Sequence, residues 1–403
     1  MHDRGKVLVQ MALVLAGGGE SCSDIEHLRA QEEMFGSVPS DSTVFRTLHE
    51  FDAKQRSSLA AALAEVRAKV WKKLDQQRSE PVILDFDASL VDVHSELKEQ
   101  TAPNYKGGFG FHPIFCFSDL TGETLSFKLR AGNATANNAS DHVELLDAAL
   151  GQLPSRITRG HHVGEHPTKT TRRVIARADS AGCTREFLSA CRTRNVAFFV
   201  SARSNAQITG ALYQTFEQAD LWQPSLTQGG EPREGASVCD LSDYVNLSSM
   251  PEGTRLIIRR EPLHPGAQRS LFPSHEFRYW GFYTDCGGDP VDLDVTMRAH
   301  AHVESHIQRL KESELCRFPF TSFEANANWL MTVALSADLV RWFQLLCLKG
   351  PWKEARPKAL RWEIFHAPGR LVYRSRRRIV RLLDGWPTTD VLLGAYQRIA
   401  RLT

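Results

Sequence analysis

A chain of 403 residues, 42% of them apolar and 24% charged, has enough apolar material for at least one sizeable core and is expected to divide into two or three domains. Its net charge is only +2, from 49 basic against 47 acidic side chains, so bulk charge does not mark a nucleic-acid partner and any DNA surface must come from local clustering. Eight scattered cysteines with no C-x-x-C pair argue against a disulfide framework or a thiolate zinc site, and no run approaches the roughly 18 apolar residues of a membrane span. Free thiols and no apolar leader lead to the expectation of a cytoplasmic protein.

Residues 1–80 read as helical. Val7, Leu8, Met11, Ala12 and Leu15 recur at helical spacing, and Gly17-Gly18-Gly19 ends that segment. Ser23-Asp24 offers a cap for a helix to about Met34, and Ser40 or Asp41 caps the next, over 43–51. Two short helices around a Gly/Pro turn suit either a helix-turn-helix DNA reader or an ordinary helical hairpin, the commoner structure. A long amphipathic helix is expected over 53–77.

Residues 81–204 change character. The run Val82-Ile83-Leu84-Asp85-Phe86-Asp87 predicts a buried strand ending in acids. Segments 112–118 and 123–129 predict a hairpin, followed by a helix over 139–150. A strand over 173–179 again ends in an acid, and a helix over 184–194 and a strand over 197–201 follow. This order predicts a mixed α/β sheet. Residues 205–290 hold short strands between Gly/Pro-rich turns and read as a β-rich insertion. Long helices return over 293–348. The region 349–403 carries a basic cluster, Arg374, Arg376, Arg377, Arg378 and Arg381, which either adds nonspecific DNA affinity or forms a solvated helical face.

Asp85 and Asp87 lie two apart at a strand end, so both project from one face. Acids on a buried strand are costly unless paired or metal-bound; a strand end already in solvent is the plain alternative. Asp179 repeats the pattern at the carboxyl end of a strand, where ligands of open α/β sheets sit, though it could simply cap the next helix. His300, Glu304 and Lys311 share one helical face, suited to a metal-and-phosphate site or to a solvated surface. His300 and His302 fall on different faces, which argues against a histidine zinc pair. Three hard carboxylates favour Mg²⁺ or Mn²⁺, and two such ions about 4 Å apart can activate an attacking oxygen and stabilise a leaving one. The stretch Asn104-Tyr105-Lys106-Gly107-Gly108-Phe109-Gly110 fits neither a Rossmann fingerprint nor a P-loop. Its Lys106 could approach a DNA backbone, or the segment is only a tight loop. Trp280 could stack on an unpaired base, but core packing is the favoured reading for a tryptophan.

These residues fall in stretches that together resemble bacterial insertion-sequence transposases of the DDE type, in the branch numbered thirteen-eighty. The matching stretches are Leu84-Asp85-Phe86-Asp87-Ala88-Ser89, Tyr105-Lys106-Gly107-Gly108-Phe109-Gly110-Phe111-His112-Pro113, Leu129-Arg130-Ala131-Gly132-Asn133-Ala134, Asp141-His142, Arg177-Ala178-Asp179-Ser180-Ala181-Gly182, His264-Pro265-Gly266-Ala267-Gln268 and the helix around Glu304. The resemblance implies an RNase H-like mixed sheet with a helical N-terminal region, a β-rich insertion and a helical C-terminal region. The first aspartate lies on the first strand, the second on the fourth, and the glutamate on a helix after the insertion. It implies Asp87, with Asp85 as the second choice, Asp179 and Glu304 as catalytic acids holding two Mg²⁺ or Mn²⁺ ions. Lys311 and His300 are implied as helpers, and Lys106, Arg130, Arg298, Lys311 and Trp280 as DNA contacts. The related group has a Tyr-x2-Arg-x3-Glu-x6-Lys helix; here Met297 and His300 stand at the tyrosine and arginine places, with Arg298 as a substitute guanidinium.

The implied activity is cleavage of double-stranded DNA at terminal inverted repeats and strand transfer, by a homodimer on DNA with no membrane role. Relatives extend further at the N-terminus, which implies a shortened copy. A nonspecific metal nuclease and an inactive DNA-binding remnant are the rival expectations.

Overall fold

The computed structural model describes residues 2–74, 80–263 and 277–402; the His264–Gln268 motif and the last residues of the helix expected to 77 lie outside them. Helices α1 (Arg4–Ala16), α2 (Asp41–Glu50) and α3 (Ala53–Leu74) form the N-terminal region. Asp3 caps α1 through the amide of Lys6, and Ser40 caps α2 through that of Thr43.

The apolar runs of 81–204 become strands β1 (Val82–Ala88), β2 (Ile114–Ser118), β3 (Thr124–Lys128), β4 (Val174–Ala178) and β5 (Ala197–Ser201). Between them lie α4 (Ala139–Gln152) and α5 (Arg185–Thr193). β1 pairs antiparallel with β2 and parallel with β4, and β4 pairs parallel with β5. The spatial order β3-β2-β1-β4-β5 is the mixed sheet expected, with the first acids on the first strand. Alternation divides β1: Val82, Leu84 and Phe86 enter one core with Leu145, Leu146, Phe187 and Leu188 of α4 and α5, while Asp85 and Asp87 point to the opposite face. A small three-stranded sheet, Val91–Asp92, Ala102–Pro103 and Phe109–Phe111, stands beside it.

Residues 205–290 begin with α6 (Ala206–Thr215) and continue as β6 (Gln223–Leu226), β7 (Pro232–Asp240), β8 (Arg255–Pro262) and β9 (Phe277–Thr284). They do not form a separate sheet. β9 pairs antiparallel with β5, and the whole runs as nine strands, β3-β2-β1-β4-β5-β9-β8-β7-β6. The insertion thus covers what would otherwise be an open edge at β5.

α7 (Pro290–Arg298) and α8 (His302–Leu310) cross the acid-bearing face. A π-helical turn, Lys311–Leu315, breaks the long helix expected there, with Glu314 at φ 74°. α9 (Phe323–Cys347) is long and apolar enough to cross a membrane by length and composition, an exception to the sequence expectation. Here it is a core helix, packed with Phe115, Phe117, Val303 and Ile307 and with α1 and α2. Its Asn328 donates to the carbonyls of Leu48 and Phe51, which locks α2 against it.

The C-terminal region holds the helices Pro357–Leu360 and Arg361–Phe365, but its clustered arginines do not form a helical face. Its basic cluster lies on a hairpin, β10 (Gly369–Arg374) and β11 (Arg377–Leu382), before the last helix, α10 (Thr389–Ile399). The β-branched and aromatic content of Val372, Tyr373, Ile379 and Val380 explains the strands. Ser375 and Arg376 take left-handed φ of 49° and 62° at the turn, the conformation a two-residue hairpin requires.

Candidate active site

β1 and β4 run parallel with a fixed offset. Asp85 stands directly across from Arg177, and Phe86 across from Ala178. One residue further, at the carboxyl ends of both strands, come Asp87 and Asp179. Asp179 turns out of the strand as the cap of the short helix Ser180–Gly182, accepting from the amide of Ala181 at 2.8 Å. Asp87 accepts from the amide of Ala88. The same face therefore carries a neutralised pair, Asp85 with Arg177, and then two carboxylates beside each other.

Asp85 is fully buried and committed. Arg177 Nε and one terminal nitrogen donate to its two oxygens, each at 2.6 Å, and His300 Nδ1 donates at 2.8 Å. Burial pushes the Asp85 carboxyl up, but the Arg177 and His300 bonds outweigh it and hold it below its ordinary value. Arg177 also donates to the carbonyl of Thr296 on α7 and reaches Asp119, which accepts from His302 Nδ1 at 3.0 Å. Two histidines thus pin the Ala299–His302 junction to the sheet. His300 lies in the 3-10 turn Ala299–Ala301 before α8, and Glu304 lies in the first turn of α8.

Glu304 is exposed, and its charge acts on Asp87 more weakly than that of Asp179. Burial first, then the charges of Asp179 and Glu304, raise the Asp87 pKa from 3.8 to about 6, against the Ala88 amide and His300. Among the described residues no three His, Cys, Asp or Glu side chains close into a ready-made metal cage. The donor set still fits hard divalent cations. It is all carboxylate oxygen, and the repulsion on Asp87 from two neighbours is countered only in part by His300 and the Ala88 amide.

The other residues singled out by sequence fall in different places. Arg130 is buried and braces the fold, donating to the carbonyl of His112 at 2.9 Å and pairing with Asp141; it does not face outward as a DNA contact would. Arg298 pairs with Asp294 and donates to the carbonyl of Leu226, so it does not replace the missing guanidinium beside Glu304. Lys106 is exposed, its ammonium 5.8 Å from the Tyr105 ring. Trp280 is 42% exposed, not a core residue, with Arg259 stacked 5.0 Å from its ring. It lines a cavity of about 350 Å³ shared with Tyr279, Met297 and His300. Lys311 is half-buried beside Cys316, two turns beyond Glu304. Sequence reasoning misses Arg177, Asp119 and His302. The signal for Arg177 is its place two residues before Asp179, on the same strand face.

The fold is a mixed α/β sheet with carboxylates at the ends of adjacent parallel strands. The family model described as Transposase DDE domain group 1 matches residues 1–403, and the chain belongs to that family. The family's general activity is DNA cleavage and strand transfer, generally with divalent metal ions. No curated protein matches the chain. Among solved structures, the piggyBac transposase synaptic complex with hairpin DNA, determined by cryo-EM, is similar at 12% identity and a TM-score of 0.44, over 89% of this chain and 70% of that one.

Proposed function

We propose that this transposase cleaves double-stranded DNA at the terminal repeats of a bacterial insertion sequence and transfers the freed strand into target DNA, with Asp87, Asp179 and Glu304 as its catalytic acids. The observation that supports this is the offset of β1 and β4, which brings Asp87 and Asp179 to adjacent strand ends, where the charges of Asp179 and Glu304 both act on Asp87. Asp85 is a positioning residue in this reading, because both its oxygens already have partners.

The three carboxylates would hold two Mg²⁺ or Mn²⁺ ions, which when bound activate the attacking oxygen and stabilise the leaving one. In cleavage a water oxygen bonds to phosphorus, the bond to the 3′ oxygen breaks, and that oxygen leaves as a 3′-hydroxyl. In strand transfer this hydroxyl attacks a target phosphodiester and releases a target 3′-hydroxyl, so no external energy source is needed. Asp87, charged above a pH of about 6, and Glu304 would hold the cations that draw the phosphate in, since the carboxylates alone repel it. His300, held at Nδ1, presents Nε2 to a phosphate oxygen, where the related group has an arginine. Lys311 and Lys106 meet the DNA backbone further out, and Trp280 offers a stacking surface for a base. Two copies pair two DNA ends.

The test is a nicking assay on duplexes that carry the element's terminal repeats, with Mg²⁺ or Mn²⁺ and unrelated DNA as competitor. Repeat-dependent nicking that Asp179→Asn and Glu304→Gln reduce to background supports the reading. Nicking that ignores the repeats would make the protein a nonspecific nuclease. Salt-sensitive DNA binding with no metal-dependent nicking would make it an inactive remnant.

A further inference from the structure

The hairpin of β10 and β11 carries six arginines in residues 369–382 and no acidic side chain. Its register separates them by face. Leu371, Tyr373, Arg378 and Val380 share one face, and that face is docked. Tyr373 donates to Glu33 Oε2 at 2.8 Å, Arg378 donates to the Glu33 carbonyl, and Leu371 and Val380 line a cavity against the N-terminal helices. The opposite face holds Arg370, Arg374, Arg377 and Arg381, all exposed, with Val372 and Ile379 between them.

The four arginines of the outer face oppose one another across the strands, Arg370 with Arg381 and Arg374 with Arg377. Like charges directly opposite are destabilising in a sheet. Among the described residues none of the four has an acidic partner or a side-chain hydrogen bond, whereas Arg378 on the docked face is anchored. A ribbon that concentrates unneutralised charge on its free face calls for a polyanion. The dimensions name which one. Along a strand, positions 370 and 374 are about 13 Å apart at about 3.3 Å per residue, close to the roughly 12 Å width of the DNA major groove, which admits a two-stranded ribbon.

We propose that this hairpin is a second DNA-binding element, a two-stranded ribbon laid across the major groove of double-stranded DNA. The Arg370/Arg381 and Arg374/Arg377 pairs reach the phosphate walls on either side, and Val372 and Ile379 meet the groove floor. The choice of DNA as polyanion rests on the transposase reading; the ribbon's cationic face does not.

The experiment uses the full chain and fluorescence anisotropy with a short random-sequence duplex over a range of salt. Replacing all four arginines by glutamine removes the cross-strand repulsion, so the variant is expected to fold, which thermal unfolding checks. The slope of log affinity against log salt should then shrink by about three to four, at about 0.9 for each phosphate no longer neutralised. The pair Arg374→Gln with Arg377→Gln should shrink it by about two. Arg378→Gln, on the docked face, should leave the slope unchanged. An unchanged slope in the folded quadruple variant overturns the proposal. So does a variant that loses binding only to phosphatidylserine vesicles. Asp179→Asn should abolish nicking while keeping the wild-type slope. Nicking without a slope change therefore sinks the ribbon alone, and a slope change without nicking sinks only the catalytic reading.

Discussion

Arg177 and Asp85 face each other across two parallel strands, joined by two bonds of 2.6 Å with neither side chain exposed. The pair fixes the position of everything above it, because His300 bonds to the same carboxylate and Arg177 holds the end of α7. Removing one partner strands the other charge. Arg177→Met is expected to destabilise the protein by about 3–5 kcal/mol, the usual cost of breaking a buried ion pair. Replacing both, as Asp85→Leu with Arg177→Met, should recover most of that loss. Urea unfolding of the single and double variants measures it, and a single variant within about 1 kcal/mol of wild type would remove the pair from its structural role. The recovered double variant should still nick DNA poorly, since His300 has lost its anchor.

Asp87 works in the opposite sense. Its folded pKa is raised from 3.8 to about 6, so its favourable contribution is complete below 3.8 and is lost as the pH rises through about 6. In metal-free protein at pH 7 the ionised side chain therefore costs stability, up to about 3 kcal/mol at roughly 1.4 kcal/mol per pKa unit. Asp87→Asn should raise the unfolding temperature at pH 7 in chelator, and the difference should vanish near pH 3.5. Mg²⁺ or Mn²⁺ should stabilise the wild type and not the variant. Equal stability of the two at pH 7 in chelator would show that neither burial nor the neighbouring carboxylates penalise the ionised Asp87.

The order of strands and the acids at their ends are legible in the sequence because buried strands write themselves as apolar runs. A charge inside or at the end of such a run stands out. The division of labour between Asp85 and Asp87 is not legible. Both lie on one strand face, and only the register against Arg177 separates a paired acid from an unpaired one. The same limit applies to Arg130 and Arg298, whose side chains look available in a sequence but are consumed by His112, Asp141, Asp294 and Leu226. The joining of β9 to β5 depends on pairing across about eighty residues, which local periodicity does not encode. The C-terminal hairpin escapes a sequence reading because its six arginines mask the short alternation of Leu371, Tyr373 and Val380.

A second buried network ties the N-terminal region to the sheet. Arg67 of α3 donates to Glu123 and Asp338, each at 2.7 Å, and the indoles of Trp71 and Trp342 donate to Glu123 at 2.6 Å. Asp338 of α9 also accepts from the amide of Thr124. One guanidinium serves two buried carboxylates, so its loss leaves both without a cation. Arg67→Met should cost about 3–5 kcal/mol and loosen α3. Hydrogen exchange should show faster exchange along α3 and at the start of β3, with β4 and β5 unchanged. Uniform loss of protection would mean that α3 and the sheet unfold as one unit.

The loop that carries Lys106 depends on two glycines for different reasons. Gly107 has φ 85° with nothing within 4 Å of where a methyl would stand, so Gly107→Ala meets only backbone strain, about 1 kcal/mol. Gly110 pairs with Asp92 and Ala102 in the small sheet, and a methyl there would lie 2.0 Å from the carbonyl oxygen of Val91. Backbone must move to admit it. Gly110→Ala is expected to open that sheet and free residues 94–108, which limited proteolysis would detect as new cleavage in the segment while the nine-stranded sheet keeps its circular dichroism. DNA affinity should fall with it, because Lys106 loses its fixed position, whereas Gly107→Ala should bind nearly as the wild type does. If both variants resist protease equally, the small sheet does not depend on the close approach at Gly110, and Lys106 is held by some other part of the loop.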